Sequence, residues 1–281
     1  MTTWIGQVGS MVPTMCASGL PVEAEDRWMT GGGGRDLSPR RHLMLTQYGA
    51  GARTWHFSRD VCATDDAASV QSLARAQART GGSWRFVPCG AVHTNMATPG
   101  ASEELAGWSG TLSPAGMGRI DEPQVKRVQQ YGTIVTAAGI VSSPMVPLLG
   151  DGPWTVTNGI HVRAGTASVQ VAIDALNAAG AVIATHTITT VAADSAPVPT
   201  RVLGSWQIET PGAAAHRLRC VSSSTYSLAR ASLAQTNTPA PWRPGQAADA
   251  VVLRGVGVTP ILEAEQTALS SVSYIAEETG V

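Results

Sequence analysis

Between Pro153 and Val221 the chain repeats one pattern six times: a short run in which apolar and polar residues alternate, closed by a turn signal. The runs are Trp154–Thr157, Ile160–Arg163, Ala167–Leu176, Val182–Val191, Val202–Glu209 and His216–Val221. Between them lie Asn158-Gly159, Gly165, Ala178-Ala179-Gly180, the Pro197 to Pro199 loop and Pro211-Gly212. A period of two sends successive side chains to opposite faces, and a turn every ~8–12 residues marks an antiparallel sandwich or jelly roll. In the third run Val169, Val171 and Ile173 share one face, while Ser168, Gln170, Ala172 and Asp174 share the other. This predicts one packed face and one wet face. The sixth run sets Leu218 and Cys220 against Arg217 and Arg219, so the two arginines are expected in solvent or against a partner.

The first 98 residues read differently, as short strands around one principal helix. Arg41–Gln47 and Arg53–Ser58 form a predicted hairpin about Tyr48-Gly49-Ala50-Gly51, with Trp55 and Phe57 on one face. Four glycines, Gly31 to Gly34, lose too much backbone entropy to sit inside an element and predict a mobile loop. Thr64 is the expected N-cap of a helix over 64–80, with Asp65 and Asp66 at its positive end. Its apolar stripe is Val70, Leu73, Ala74 and Gln77 or Ala78; Arg75 and Arg79 lie opposite, and Gly81-Gly82 ends it. Trp84 to Pro88 then reads as a strand confined by its proline to an edge or a strand end.

A chain of 281 residues exceeds one ordinary domain, so two compact units are expected. The predicted class is mainly β with one helix: an α+β amino-terminal unit over 1–98, a connector over 99–150 and an antiparallel β-sandwich over 151–247. Within the connector only Gly132–Val141 reads as a strand. Pro239 to Gly245 reads as a hinge. The closing segments, Ala250–Leu253 and Ser270–Ile275, are expected to return to the amino-terminal unit, so that 248–281 completes it and the sandwich is an insertion.

Charged residues make up 14% of the chain, well below the usual quarter, which argues for surfaces covered by partners rather than water. The 19 basic residues, all arginine except Lys126, are scattered, with Arg40-Arg41 and Lys126-Arg127 the only adjacent pairs. Nucleic-acid binding needs clustered cations and is not expected. Met1 to Pro21 has no secretory pattern and no apolar run reaches the length of a bilayer span, so synthesis in a cytoplasm without membrane insertion is expected.

No catalytic, cofactor or metal site is predicted. The pattern Gly-x-Ser-x-Gly is absent, Gly107-Trp108-Ser109-Gly110 has the wrong spacing, and Gly31 to Gly34 leads into Arg35 rather than Lys-Ser/Thr. The six histidines, His42, His56, His93, His161, His186 and His216, stand at least 14 residues apart. Cys16, Cys62, Cys89 and Cys220 are too irregularly spaced for a zinc ribbon and are expected as packed thiols. The sandwich carboxylates, Asp151, Asp174, Asp194 and Glu209, show no pairing for glycoside hydrolysis. Trp154, Trp206 and Trp242 are the candidate glycan or partner contacts, because an exposed indole stacks on a sugar ring, although a sandwich tryptophan is more often core.

Several of these motifs, taken in order, resemble minor tail or distal tail proteins of actinobacterial siphophages. They are Arg53-Thr54-Trp55, the helix segment Ala68-Ser69-Val70-Gln71-Ser72-Leu73-Ala74, Gly81-Gly82-Ser83-Trp84-Arg85-Phe86-Val87-Pro88, and Asn95-Met96-Ala97-Thr98-Pro99. Ser271 to Glu277 is similar to the closing strand of those proteins, and the strand-rich part to the galectin-like or carbohydrate-binding-like domain they carry. The resemblance implies a non-enzymatic virion protein at the tail tip. It implies a homo-oligomeric, hexameric ring that joins tail tube, tape measure and baseplate proteins. The alternative is an adhesin that recognises host cell-wall glycans.

Overall fold

The structure is a computed structural model and describes residues 3–14, 24–26, 53–81, 84–88, 90–122, 130–194, 196–264 and 267–279. The predicted strand at 41–47, its turn and the four-glycine loop lie outside the described residues. In chain order the elements are β1 Thr3–Gln7, β2 Ser10–Thr14, β3 Ala24–Asp26, β4 Arg53–Ala63, α1 Thr64–Thr80, β5 Trp84–Val87, α2 Pro99–Glu103, β6 Ser109–Ile120, β7 Gln130–Ser142 and β8 Val146–Pro147. They continue as β9 Trp154–Arg163, β10 Val169–Leu176, β11 Val182–Val191, β12 Thr200–Ile208, β13 Ala215–Ala234, β14 Ala248–Ala264 and β15 Thr267–Glu278. The chain forms two compact units, residues 14–86 with 249–281, and residues 2–13 with 87–248.

In the first unit the sheet order is β5-β14-β15-β4-β3, with β15 antiparallel to both β14 and β4. Alternation along β15 buries Val272, Tyr274 and Ala276 and leaves Ser273 exposed, the mark of a sheet wet on one side. The helix α1 packs on β15 and β4 through a stripe at helical spacing that includes Ala67, Val70 and Gln77. Gln77, not Ala78, completes that stripe. Its carboxamide serves as a piece of strand: Nε2 donates to the Val251 carbonyl at 2.6 Å and Oε1 accepts from the Leu253 amide at 2.7 Å. Gly81, with φ 65°, closes the helix in the left-handed region where a Cβ is unfavourable, its amide donating to the Gln77 carbonyl.

The second unit is an antiparallel β-sandwich. The strand β13, 20 residues long, belongs to both layers. Its first half, through Val221, pairs with β10, which pairs with β11; its second half, from Ser227, pairs with β9, which pairs with β12. On its other side β7 follows it across the irregular step between Ser222 and Tyr226 and pairs with the edge strand β6. Between the layers lie Val141, Val156, Ile160, Val162, Val171, Ile173, Leu218 and Cys220, all at or near zero exposure.

Four expectations are corrected here. The stretch 99–150 is not a connector: it supplies α2, β6, β7 and β8 to the sandwich unit. Its signal is weak because β6 is an edge strand exposed on both faces, which removes the alternation that a half-buried strand displays. Asn158-Gly159 is not a turn but the middle of β9, held by neighbours on both sides. Asn158 is buried with Nδ2 3.0 Å from His216 Nδ1, and a Cβ on Gly159 would meet Leu203 Cδ1 at 2.8 Å, so glycine is there for close packing. The sixth run continues past Val221 as the long β13, its polar Ser222 to Thr225 segment being the crossing between layers. Finally, the face of β10 that carries Ala172 and Asp174 is not wet, for both are fully buried.

The segment Asn95-Met96-Ala97-Thr98-Pro99 is a folding knot within the second unit. Asn95 Nδ2 lies 2.8 Å from Ser102 Oγ and 2.9 Å from the carbonyls of Ala231 and Arg243, while its Oδ1 accepts from the Ala97 and Leu233 amides. Thr98 caps α2, accepting from the Ala101 amide, and proline occupies the first helical turn.

Candidate functional site

The outer face of the first sandwich layer is built by alternation. On β13, Leu218 and Cys220 point into the core, which sends Arg217 and Arg219 outward; their cross-strand partners on β10 are Asp174 and Ala172. Asp174 accepts hydrogen bonds from Arg217 Nε at 3.2 Å on Oδ2 and from the Thr185 hydroxyl at 2.8 Å on Oδ1, and Arg219 Nε lies 3.1 Å from Oδ1 as an ion pair not aligned as a hydrogen bond. The arginine stems cover Asp174 and Ala172, which explains their burial, while each arginine side chain stays about a quarter exposed, at 25% and 26%. Beside them Gln170 and Thr187 are exposed and joined by a 3.3 Å hydrogen bond. The arginines expected in solvent or against a partner are thus anchored at Asp174 and partly open to solvent.

A second ionic cluster sits on the outer face of the other layer and is closed. Glu122, just past β6, is clipped to β12 by a parallel bridge at Asp121 and Thr200 and by the Arg201 amide donating to the Asp121 carbonyl. Its carboxylate lies 3.1 Å from Arg201 Nη1 and 3.2 Å from His161 Nε2, the second a close polar contact not aligned as a hydrogen bond. Arg201 Nη2 reaches Ser232 Oγ at 3.2 Å, and His161 Nδ1 faces the Arg230 carbonyl at 3.3 Å. None of the three side chains exceeds 3% exposure. Burial, the largest single influence, pushes the Glu122 carboxyl upward. The His161 contact and the Arg201 charge and hydrogen bond together outweigh it and hold the group below its ordinary value. Ser, His and Glu are close here, but the histidine bridges Glu122 to a backbone carbonyl and not to a serine, so the relay needed for a nucleophile is missing.

Each of the three tryptophans has its own set of contacts. Trp154 and Trp206 are diagonal neighbours on β9 and β12, half-buried and packed against the inter-layer core. Trp154 Nε1 donates to the Gly150 carbonyl, and Trp206 stacks on His186 with centroids 5.6 Å apart. Trp242 donates to the Ala231 carbonyl, and the Arg230 guanidinium lies 4.3 Å over its ring. Arg230 holds a positive φ of 40° where β13 shifts register against β9, and it also binds Gln130 and the Tyr131 carbonyl at 2.7 Å.

Of the carboxylates singled out in the sandwich, only Asp174 is buried; Asp151, Asp194 and Glu209 are exposed. Cys220 is a core residue whose thiol burial pushes up to about 12, far from reactivity. Among the described residues no group of three or more His, Cys, Asp or Glu could hold a metal, and no helix is long and apolar enough to cross a membrane. Sequence reasoning missed Glu122 and Arg201; the one available signal was an acidic residue at the end of the unrecognised strand β6.

No protein-family model and no curated protein matches the chain. Among solved structures, the chain is similar to the enzymatically active domain of tailspike protein 4 of bacteriophage CBA120. That likeness has 16% identity and a TM-score of 0.31 and covers 50% of this chain and 21% of that one. It is also similar to a xylan-binding domain from Paenibacillus barcinonensis, at 14% identity and TM-score 0.28, covering 47% of this chain and 91% of that one. A third likeness is to the VP2 subviral particle of infectious bursal disease virus, at 9% identity and TM-score 0.27, covering 61% and 41%. Likenesses this distant carry no functional argument.

Proposed function

We propose that this chain is a non-enzymatic component of a long-tailed bacteriophage virion, carried at the tail tip, and that its sandwich unit is an adhesin module for a host cell-wall glycan. The recognition half rests on the outer face of the first layer. There Gln170, Thr185, Thr187, Arg217 and Arg219 present amide, hydroxyl and guanidinium groups from three neighbouring strands, all exposed or partly so. Strands spaced about 4.8 Å apart set such groups at separations that the hydroxyls of a sugar ring can bridge. The virion half is supported by the resemblance of its motif order to that of siphophage tail proteins and by the low charge of the sequence. A glycan array probed with the full chain, and mass spectrometry of purified virions, test the two halves. No retained glycan overturns the first, and absence from the particle overturns the second.

A homo-oligomeric ring, of hexameric order and joined to tail tube, tape measure and baseplate proteins, is the second reading, and one observation favours it. The strand β6 is a 12-residue sheet edge, and Met117 and Tyr131 on the β6–β7 ribbon are 58% and 54% exposed. An open edge of this kind accepts a strand from a neighbour. Light scattering of the full chain, alone and with the tail-tube protein, is expected to reveal an oligomer; a monomer in both conditions overturns the ring.

A further inference from the structure

We infer that Arg217 and Arg219 form a built oxyanion site and that the glycan recognised by this face is acidic, bearing carboxylate or phosphate groups. This rests on the glycan-recognition reading and adds the charge class of the ligand.

The two residues stand two apart on one strand face, about 6.6 Å along the chain. Each guanidinium turns its Nε inward to the buried Asp174, which holds Arg217 by a hydrogen bond and Arg219 by an ion pair alone. Much of the ordering cost that free arginines would incur on binding is therefore already met in the fold. The Nη atoms of both residues make no hydrogen bond among the described residues, and about a quarter of each side chain faces solvent.

Charge decides the sign of the ligand. Two cations against one carboxylate leave the cluster with a net charge of about +1. The cross-strand neighbours on β7, β10 and β11, including Ser142, Ala172 and Thr187, add no second acid. A planar guanidinium with free Nη donors matches the geometry of a carboxylate or phosphate. A single exposed net charge holds a small anion weakly, whereas a polymer offers repeated acids and also hydroxyls for Thr185, Thr187 and Gln170, so the face suits an acidic polysaccharide.

The test is calorimetric titration of the full chain with three polymers: a polyuronate, a poly(glycerol phosphate) and a neutral glucan, repeated on the double variant Arg217→Gln/Arg219→Gln. Binding of one or both acidic polymers, weakened about tenfold or more by the double variant, is expected from the loss of charge-assisted hydrogen bonds. The two acidic arms decide between carboxylate and phosphate. Should the double variant fail to fold by circular dichroism, raising the ionic strength on the unaltered chain decides the matter: at 1 M salt the Debye length is about 3 Å, and acidic-polymer binding should be lost. Binding of the neutral glucan alone, or acidic binding indifferent to both salt and substitution, overturns the oxyanion site and leaves glycan recognition standing. Binding of none of the three overturns both.

Discussion

The two ionic clusters of the sandwich unit use similar chemistry in different surroundings. Asp174 with Arg217 and Arg219 lies on one outer face, and Glu122 with Arg201 and His161 on the other. In the first, only the carboxylate is buried and the cations reach water; in the second every member is buried. A fully buried charge has no recourse to solvent when its partner goes, whereas a partly exposed arginine recovers hydration. The closed cluster is therefore suited to holding a segment in place, clipping Glu122 across β9, β12 and β13. The open one keeps unused donors for a ligand.

Four measurements break or sharpen that contrast. Glu122→Ala should have the largest effect, a loss of about 3–5 kcal/mol in urea unfolding of the full chain, because Arg201 is left buried without its counter-ion and His161 without its polar contact. Asp174→Asn should lose about 1–2 kcal/mol, since the released arginines turn to water. If the two losses come out equal, the contrast is wrong. Either single substitution, Arg217→Gln or Arg219→Gln, should change stability by less than about 1 kcal/mol, because the remaining arginine and the Thr185 hydroxyl still meet the buried Asp174 carboxylate. The smallest effect is in the pH dependence. The Glu122 carboxyl is lower in the folded chain than in the unfolded one, so its contribution is complete above the ordinary carboxylate range and is lost as pH falls through the folded value. The stability gap between the unaltered chain and Glu122→Gln should therefore be constant above about pH 5 and narrow in stronger acid. A gap that widens on acidification contradicts this assignment.

The strands β10 and β11 and the helix α1 were legible because their periodicities are local properties of half-buried elements, and Val171, Ile173 and Val70 fall where the patterns put them. The strand β6 was not legible, since a two-sided edge rich in glycine and serine carries no alternation. Asn95 stood out within its motif, but its work as a knot was hidden: two of its partners, Ala231 and Arg243, are 136 and 148 residues away. The candidate site was half legible. Alternation turned Arg217 and Arg219 outward, but it also promised a wet Asp174, and only the arginine arms folded over it reverse that.

What the sequence determined by itself was the class of each element and the inward half of most strands, because both follow from backbone sterics and the removal of apolar surface from water over a few residues. The tertiary structure decided which charges meet. Arg217 lies 43 residues from Asp174 and Arg201 lies 79 from Glu122, and register between strands, which no local pattern encodes, brings them within about 3 Å.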